Sequence, residues 1–294
     1  MRLVKFVILF LLMPAGIRAQ NDLMDLLNDS TAKVTNYAIG TFKSSRIMNG
    51  HSVVSMPPGQ LDVRFSHRFG RLNTGPYEFW GLDQANVHFS FEYGICKWMM
   101  LGVGRGTYEK TYDGFAKFTV LRQSSGAKEM PVSVSAFTSI AVNTLKWTDP
   151  QKPNYFSSRL SYVAQVLVAR KFGEELSVQL TPSFVHRNLV ATELDPNDLW
   201  ALGAGSRIKL TKRISFNAEY YYLLTPRKYM SESVYNPLSL GFDIQTGGHV
   251  FQLLFTNSLA MIEKGFIGET TGQWKKGDIH FGFNISRVFT LKKH

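Results

Sequence analysis

The sequence predicts an all-β fold, an antiparallel transmembrane β-barrel of about twelve strands (roughly ten to fourteen fit), preceded by a short N-terminal segment. Three observations predict it. Segments close to the ~9–11 residues that cross a bilayer as a tilted strand alternate apolar and polar side chains. No segment of the mature chain approaches the ~20 apolar residues of a membrane helix. The connections between segments alternate short and long, as they do when short turns face one side of a membrane and long loops the other. A hydrophobic fraction of 44% and a mean hydropathy of −0.10 are no obstacle, because only every second residue of a barrel strand meets lipid.

Taken in order, residues 1–19 read as a secretory signal peptide. Arg2 and Lys5 form the positive start, 6–13 the apolar run, and Ala15 to Ala19 the small residues before a cut at Gln20. Residues 20–54 form a periplasmic pre-barrel segment, with a short amphipathic turn in LMDLLND and a candidate plug at 41–53. The barrel spans 55–294. Its strands are expected at 60–69, 85–93, 98–107, 114–121, 131–143, 156–168, 176–186, 199–209, 213–223, 237–244, 249–256 and 277–289. In the first, Leu61, Val63, Phe65 and Phe69 oppose Asp62, Arg64, Ser66 and Arg68. Thr246-Gly247-Gly248 is a hairpin turn, since glycine supplies the positive φ it needs. Three features strain this scheme. Pro182 falls inside a strand and cannot donate to the ladder. The connection at 122–130 is long for its class, and that at 108–113 is short. The stretch 37–42 is also strand-like. Trp98, Tyr155, Trp200, Tyr220, Tyr221, Tyr222 and Trp274 are candidates for aromatic girdles.

Removal of Arg2, Lys5 and Arg18 with the signal takes the net charge from +11 to +8. The basic residues are dispersed, which argues for a headgroup-facing surface and against a nucleic-acid partner. A single cysteine, Cys96, excludes an internal disulfide framework and any C-x-x-C site. The histidines lack ligand spacing, so no metal and no cofactor is expected.

The last segment, GDIHFGFNISRVF, has one greasy and one polar face and closes on an aromatic. It resembles the terminal strand of bacterial outer-membrane barrels, which implies the bacterial outer membrane and recognition by the barrel assembly machinery. The stretches TFKSSRIMNGHSV, LDVRFSHRFGRLNTG, FWGLDQANV and LGVGRGTYEKTYDGFAKF resemble an uncharacterised β-barrel family of Bacteroidota, a domain of unknown function. That resemblance implies a barrel and no reaction. The even strand count places both termini in the periplasm and the last strand beside 60–69.

Asp62, Arg64, Arg68, Glu92 and Lys117 fall on the predicted lumen face. Arg105 shares the parity of Leu101 and Val103, so it reaches the lumen only across a bulge and otherwise sits at headgroup level. These residues read either as a charged constriction or small-anion site, or as a salt-bridged filling that stiffens the wall. Lys43, Arg46, Asn49 and His51 are the plug candidates. The lead function is a narrow channel or transport-related pore. The alternative is a structural or partner-binding barrel with a filled, non-conducting lumen, presenting long loops outside or docking a periplasmic partner through 20–54; outer-membrane lipid is the expected surround of either. A barrel lipid hydrolase through Ser66-His67 or His88/Ser90 is a third class. Gly102-Val103-Gly104-Arg105-Gly106 lacks the following helix of a phosphate loop, and no convincing catalytic motif is present.

Overall fold

The computed structural model describes residues 34–292. The expected signal peptide and the expected turn at LMDLLND lie outside the described residues. Twelve strands close an antiparallel barrel: β2 (Gln60–Arg71), β3 (Ala85–Cys96), β4 (Met99–Gly106), β5 (Tyr112–Leu121), β7 (Ser133–Val142), β8 (Leu160–Phe172), β9 (Leu176–Arg187), β10 (Asp198–Lys209), β11 (Ile214–Leu223), β12 (Leu238–Thr246), β13 (His249–Thr256) and β14 (His280–Thr290). Each pairs with its sequence neighbour among these twelve. β14 closes on β2, with Ser286 opposite Arg64 and Gly282 opposite Arg68. Closure leaves no free edge within the barrel, the condition for strands to cross lipid.

The alternation read from the sequence sets the two faces. On β2, Asp62, Arg64, Ser66 and Arg68 are buried within the lumen, while Leu61, Val63 and Phe65 face outward. On β3, Phe89 and Phe91 are each 49% exposed on the outer face, while His88, Ser90 and Glu92 are buried. Trp98, Trp200, Tyr155, Tyr220 and Tyr222 are exposed, as girdle residues are. Two girdle expectations fail. Tyr221 is buried in the lumen against Phe266, because it lies one residue out of phase with Tyr220 and Tyr222. Trp274 is tucked into a loop, its indole N–H donating to the Leu238 carbonyl at 2.9 Å.

The irregularities have local causes. The 122–130 connection is long because it carries β6 (Ser124–Gly126), which pairs with β1 (Thr35–Tyr37) of the leader outside the barrel. Of the strand-like stretch 37–42 only Tyr37 lies in this pairing, and 38–42 form no strand. The 108–113 connection is tight because Glu109 and Lys110 turn it with φ of 50° and 48°. Pro182 stays in β9 with its side chain outward. The β8–β9 pairing lapses there, between Gln165–Ser183 and Val168–Leu180, as expected for a residue without an N–H.

The core sits in the lumen. From one mouth the leader passes Gly40, enters at Thr41 and returns at Pro57-Pro58-Gly59 into β2. From the opposite mouth the β13–β14 loop folds inward and carries a short helix, α1 (Glu263–Gly268), all of it buried. Phe42, Ile47 and Val53 of the leader, Phe115, Phe137, Leu167 and Leu199 of the wall, and Phe266 and Ile267 of α1 form one apolar cluster. Each large side chain so buried contributes roughly 1.5–3 kcal/mol.

Candidate functional site

The site is the contact between leader and wall. Residues 45–52 form a small hairpin, with Ile47 N donating to Gly50 O at 2.9 Å and Ser52 N to Ser45 O at 2.8 Å. Its tip is held by a wall carboxylate. The backbone N–H groups of Met48, Asn49 and Gly50 donate to the Glu219 oxygens at 3.1, 3.3 and 3.1 Å. Such a run of amides is an anion cradle, and here β11 supplies the anion. Gly50 is required by close approach, since a Cβ there would collide with the Tyr221 hydroxyl.

The tip carbonyls are satisfied equally fully. Gln252 donates to Ile47 O at 2.8 Å and Asn284 to Met48 O at 3.0 Å. Asn49 accepts from Arg68 at 2.7 Å and donates to Ser239 at 3.0 Å. Lower down, Lys117 donates to the carbonyls of Ser45, Ser52 and Val54 at 3.3, 3.0 and 2.6 Å. Gln179 accepts from Val53 N and donates to His51 O, at 2.9 and 2.8 Å. Lys43 donates to Gln245 at 2.8 Å. The wall supplies polar groups to what is otherwise irregular backbone inside a barrel, as burial demands.

A charged cluster sits beside the hairpin. Glu92 of β3 accepts from Arg46 Nε at 3.3 Å and from the Ser45 hydroxyl. Arg64 reaches Asp62 at 2.9 Å and Glu92 at 3.7 Å, and donates to Ser44 at 2.6 Å. Arg46 also faces Glu263 of α1 at 3.7 Å, and His51 lies 4.0 Å from the same carboxylate oxygen. Leader and in-folded loop thus meet at Arg46, His51 and Glu263. His51 is packed between the Phe115 and Phe137 rings, 4.5 and 4.3 Å away. Burial and the nearby Arg46 and Lys117 cations push His51 well below its ordinary value, so it is neutral. Burial pushes the Glu263 carboxyl up to about 7.

Five of the lumen candidates, Asp62, Arg64, Arg68, Glu92 and Lys117, are brought together around the leader, as are Lys43, Arg46, Asn49 and His51. Arg105 is not. No bulge interrupts the β4–β5 pairing, so Arg105 keeps the outward parity of Val103 and lies over the Tyr112 ring at 5.6 Å. The glycine row 102, 104, 106 is explained by the lumen face. A Cβ on Gly104 would lie 2.6 Å from His88 and 2.9 Å from Asp113, which bond each other at 2.7 Å across it. That bond ties up the His88 ring, and neither Ser66 nor Ser90 hydrogen-bonds to it among the described residues. Sequence reasoning missed Glu219, Gln179, Gln252 and Asn284 as leader ligands. Their inward parity on late strands was a signal, but their partner could not be read from it.

Above α1 all six long loops line one open vestibule of about 670 Å³. Lys264 of α1 is its buried floor, bonded to Glu109 and, at 3.0 Å, to Glu269. Arg71, Arg159, Arg187, Glu78 and Glu232 line its sides. Asp195 clips two of the loops, accepting from Ser231 N at 2.6 Å and Thr192 N at 2.9 Å. The Ser231 backbone amide above all holds that carboxyl down at about 2.

No curated protein matches this chain. Solved structures that superpose on it include the NanC porin, with a TM-score of 0.48 and 8% identity over 79% of this chain and 100% of that one. The KdgM porin gives 0.46 and 9% over 80% and 99%. Omp33 of Acinetobacter baumannii gives 0.41 and 12% over 78% and 98%. A family described as a membrane-bound beta barrel domain, DUF5777, matches residues 42–289, a span that runs from Phe42 of the buried leader to within one residue of the end of β14. The chain therefore belongs to the DUF5777 family of membrane-bound β-barrel domains.

Proposed function

We propose that this protein is an outer-membrane barrel whose lumen is filled and non-conducting at rest. The leader seals it from one mouth, α1 from the other, and the vestibule is the face presented to ligands or partners outside. The observation that carries this reading is the hairpin lock, in which Glu219, Lys117, Arg68, Gln179, Gln252 and Asn284 all serve the leader. A wall built only to conduct would leave such groups to water.

The signal-like sequence at 1–19, the aromatic-terminated strand 277–289 and the even strand count support the outer membrane, insertion through the barrel assembly machinery and periplasmic termini. The short-turn mouth then faces the periplasm, and the part of the leader outside the lumen, 34–40, offers a partner its contact there. One observation favours a second reading, a channel gated by the leader. Both ends of the hairpin leave by the same mouth, so it withdraws without threading. Planar-bilayer conductance tests both. The intact protein is expected to be silent, and steady open conductance would overturn the filled-lumen reading. A variant lacking 41–53 that conducts assigns the leader the role of gate. A silent one assigns the seal to α1 and leaves a docking or structural barrel.

A further inference from the structure

Two cavities lie side by side at the short-turn mouth. One, of about 400 Å³, sits between the leader and the wall, with Ile39, Val54, Met56, Pro57 and Leu121 among its apolar lining. The other, of about 250 Å³, opens beside Trp98 and Val120, which are 57% and 60% exposed on the outer face. The cavities share Lys97, Thr119, Leu121 and Arg122. The pairing of β5 with β7 shifts between Thr119 and Leu121, a bulge that splays the wall at Val120. Together the two adjoining cavities form a trough of apolar surface reaching from beside the outward Trp98 and Val120 to the underside of the leader.

The charges along this trough have one sign. Its charged lining residues are Lys97, Arg122 and Lys128, with no aspartate or glutamate among them. Arg122 lies over the Tyr37 ring at 4.3 Å, a contact that orders it without neutralising it. Trp98 beside it is a girdle residue, so the cations stand at headgroup level. An apolar trough entered from the bilayer, with cations at its rim, fits an acyl chain attached to an anion.

We infer that this trough binds one anionic phospholipid from the leaflet on the short-turn side. An acyl chain lies under the leader against Ile39 and Met56, and the phosphate meets Lys97, Arg122 and Lys128. The lipid then ties the point where the leader enters the lumen to the bilayer.

Native mass spectrometry of the full mature protein, released from nanodiscs of mixed phosphatidylglycerol and phosphatidylcholine, tests this. One retained phosphatidylglycerol per barrel is expected, surviving a tenfold excess of phosphatidylcholine. In a Lys97→Gln/Arg122→Gln/Lys128→Gln variant, retention is expected to weaken on the order of a hundredfold, the scale for three cations at a charged surface. Ile39→Glu, at an 80% exposed position, adds an acid to the lining without emptying the core and is expected to expel the lipid. Heat-modifiable gel migration confirms that both variants are folded barrels. Equal retention of the two lipids, retention of a free fatty acid in place of phospholipid, no retained lipid, or indifference to both variants would overturn the inference.

Discussion

Glu219 accepts hydrogen bonds from three successive amides of the leader, and no other carboxylate serves so many backbone donors at once among the described residues. Glu219→Ala strands those amides in a sealed lumen, at ~1–3 kcal/mol for each orphaned group, so a loss of about 3 kcal/mol or more is expected. Glu219→Gln keeps two acceptor sites on one oxygen and costs less. Glu92→Ala removes the carboxylate shared by Arg46 and Arg64 and is expected to destabilise by roughly 3–5 kcal/mol, the scale for a buried charge losing its partner. The midpoint of heat-modifiable migration in urea reads both. Glu263 carries the pH dependence. Its carboxyl is raised from 4.5 to about 7 by burial, amid Arg46, His51, Asp113 and Glu219. A raised acid contributes fully below the ordinary carboxylate range, and that contribution falls as pH rises through about 7. The in-folded loop is therefore expected to resist protease better at pH 5 than at pH 8, and Glu263→Gln to remove the difference.

At the scale of elements, the barrel strands were legible because period-two alternation is local and a one-residue slip would turn every side chain to the wrong face. Phe65 and Phe89 outward, with Arg64 and Glu92 inward, follow from that parity alone. The seam of β14 on β2 followed from an even count. The leader was legible only as polar and specific. Much of its hairpin is fixed by groups some 130 to 240 residues further along, such as Gln179, Glu219 and Asn284, and no local signal carries such pairings. The sequence leaves two places open for Arg105, because three glycines suggest a bulge. Gly102 instead makes room for the Phe115 ring, and Gly104 for His88 and Asp113. The α1 turn was hidden because its six residues are too few to show helical periodicity. The loop clip belongs to this scale too. Asp195, held at about 2 by the Ser231 amide, contributes above the ordinary carboxylate range and loses its effect as pH falls toward 2. Asp195→Ala is expected to free the loops at 188–197 and 224–237, read as faster proteolytic nicking there with the barrel intact.

The whole molecule is a barrel closed by its own chain from both mouths. The two seals touch at Arg46, His51 and Glu263, between the open vestibule lined by the long loops and a leader anchored by β1 on β6. The filled lumen is tested most directly at the hairpin tip. Met48 is 1% exposed there. In a Cys96→Ser background, Met48→Cys in protein reconstituted into lipid vesicles is predicted to stay unlabelled by a small membrane-impermeant thiol reagent applied from either side, and to label only on unfolding. Prompt labelling of the folded barrel would contradict the account.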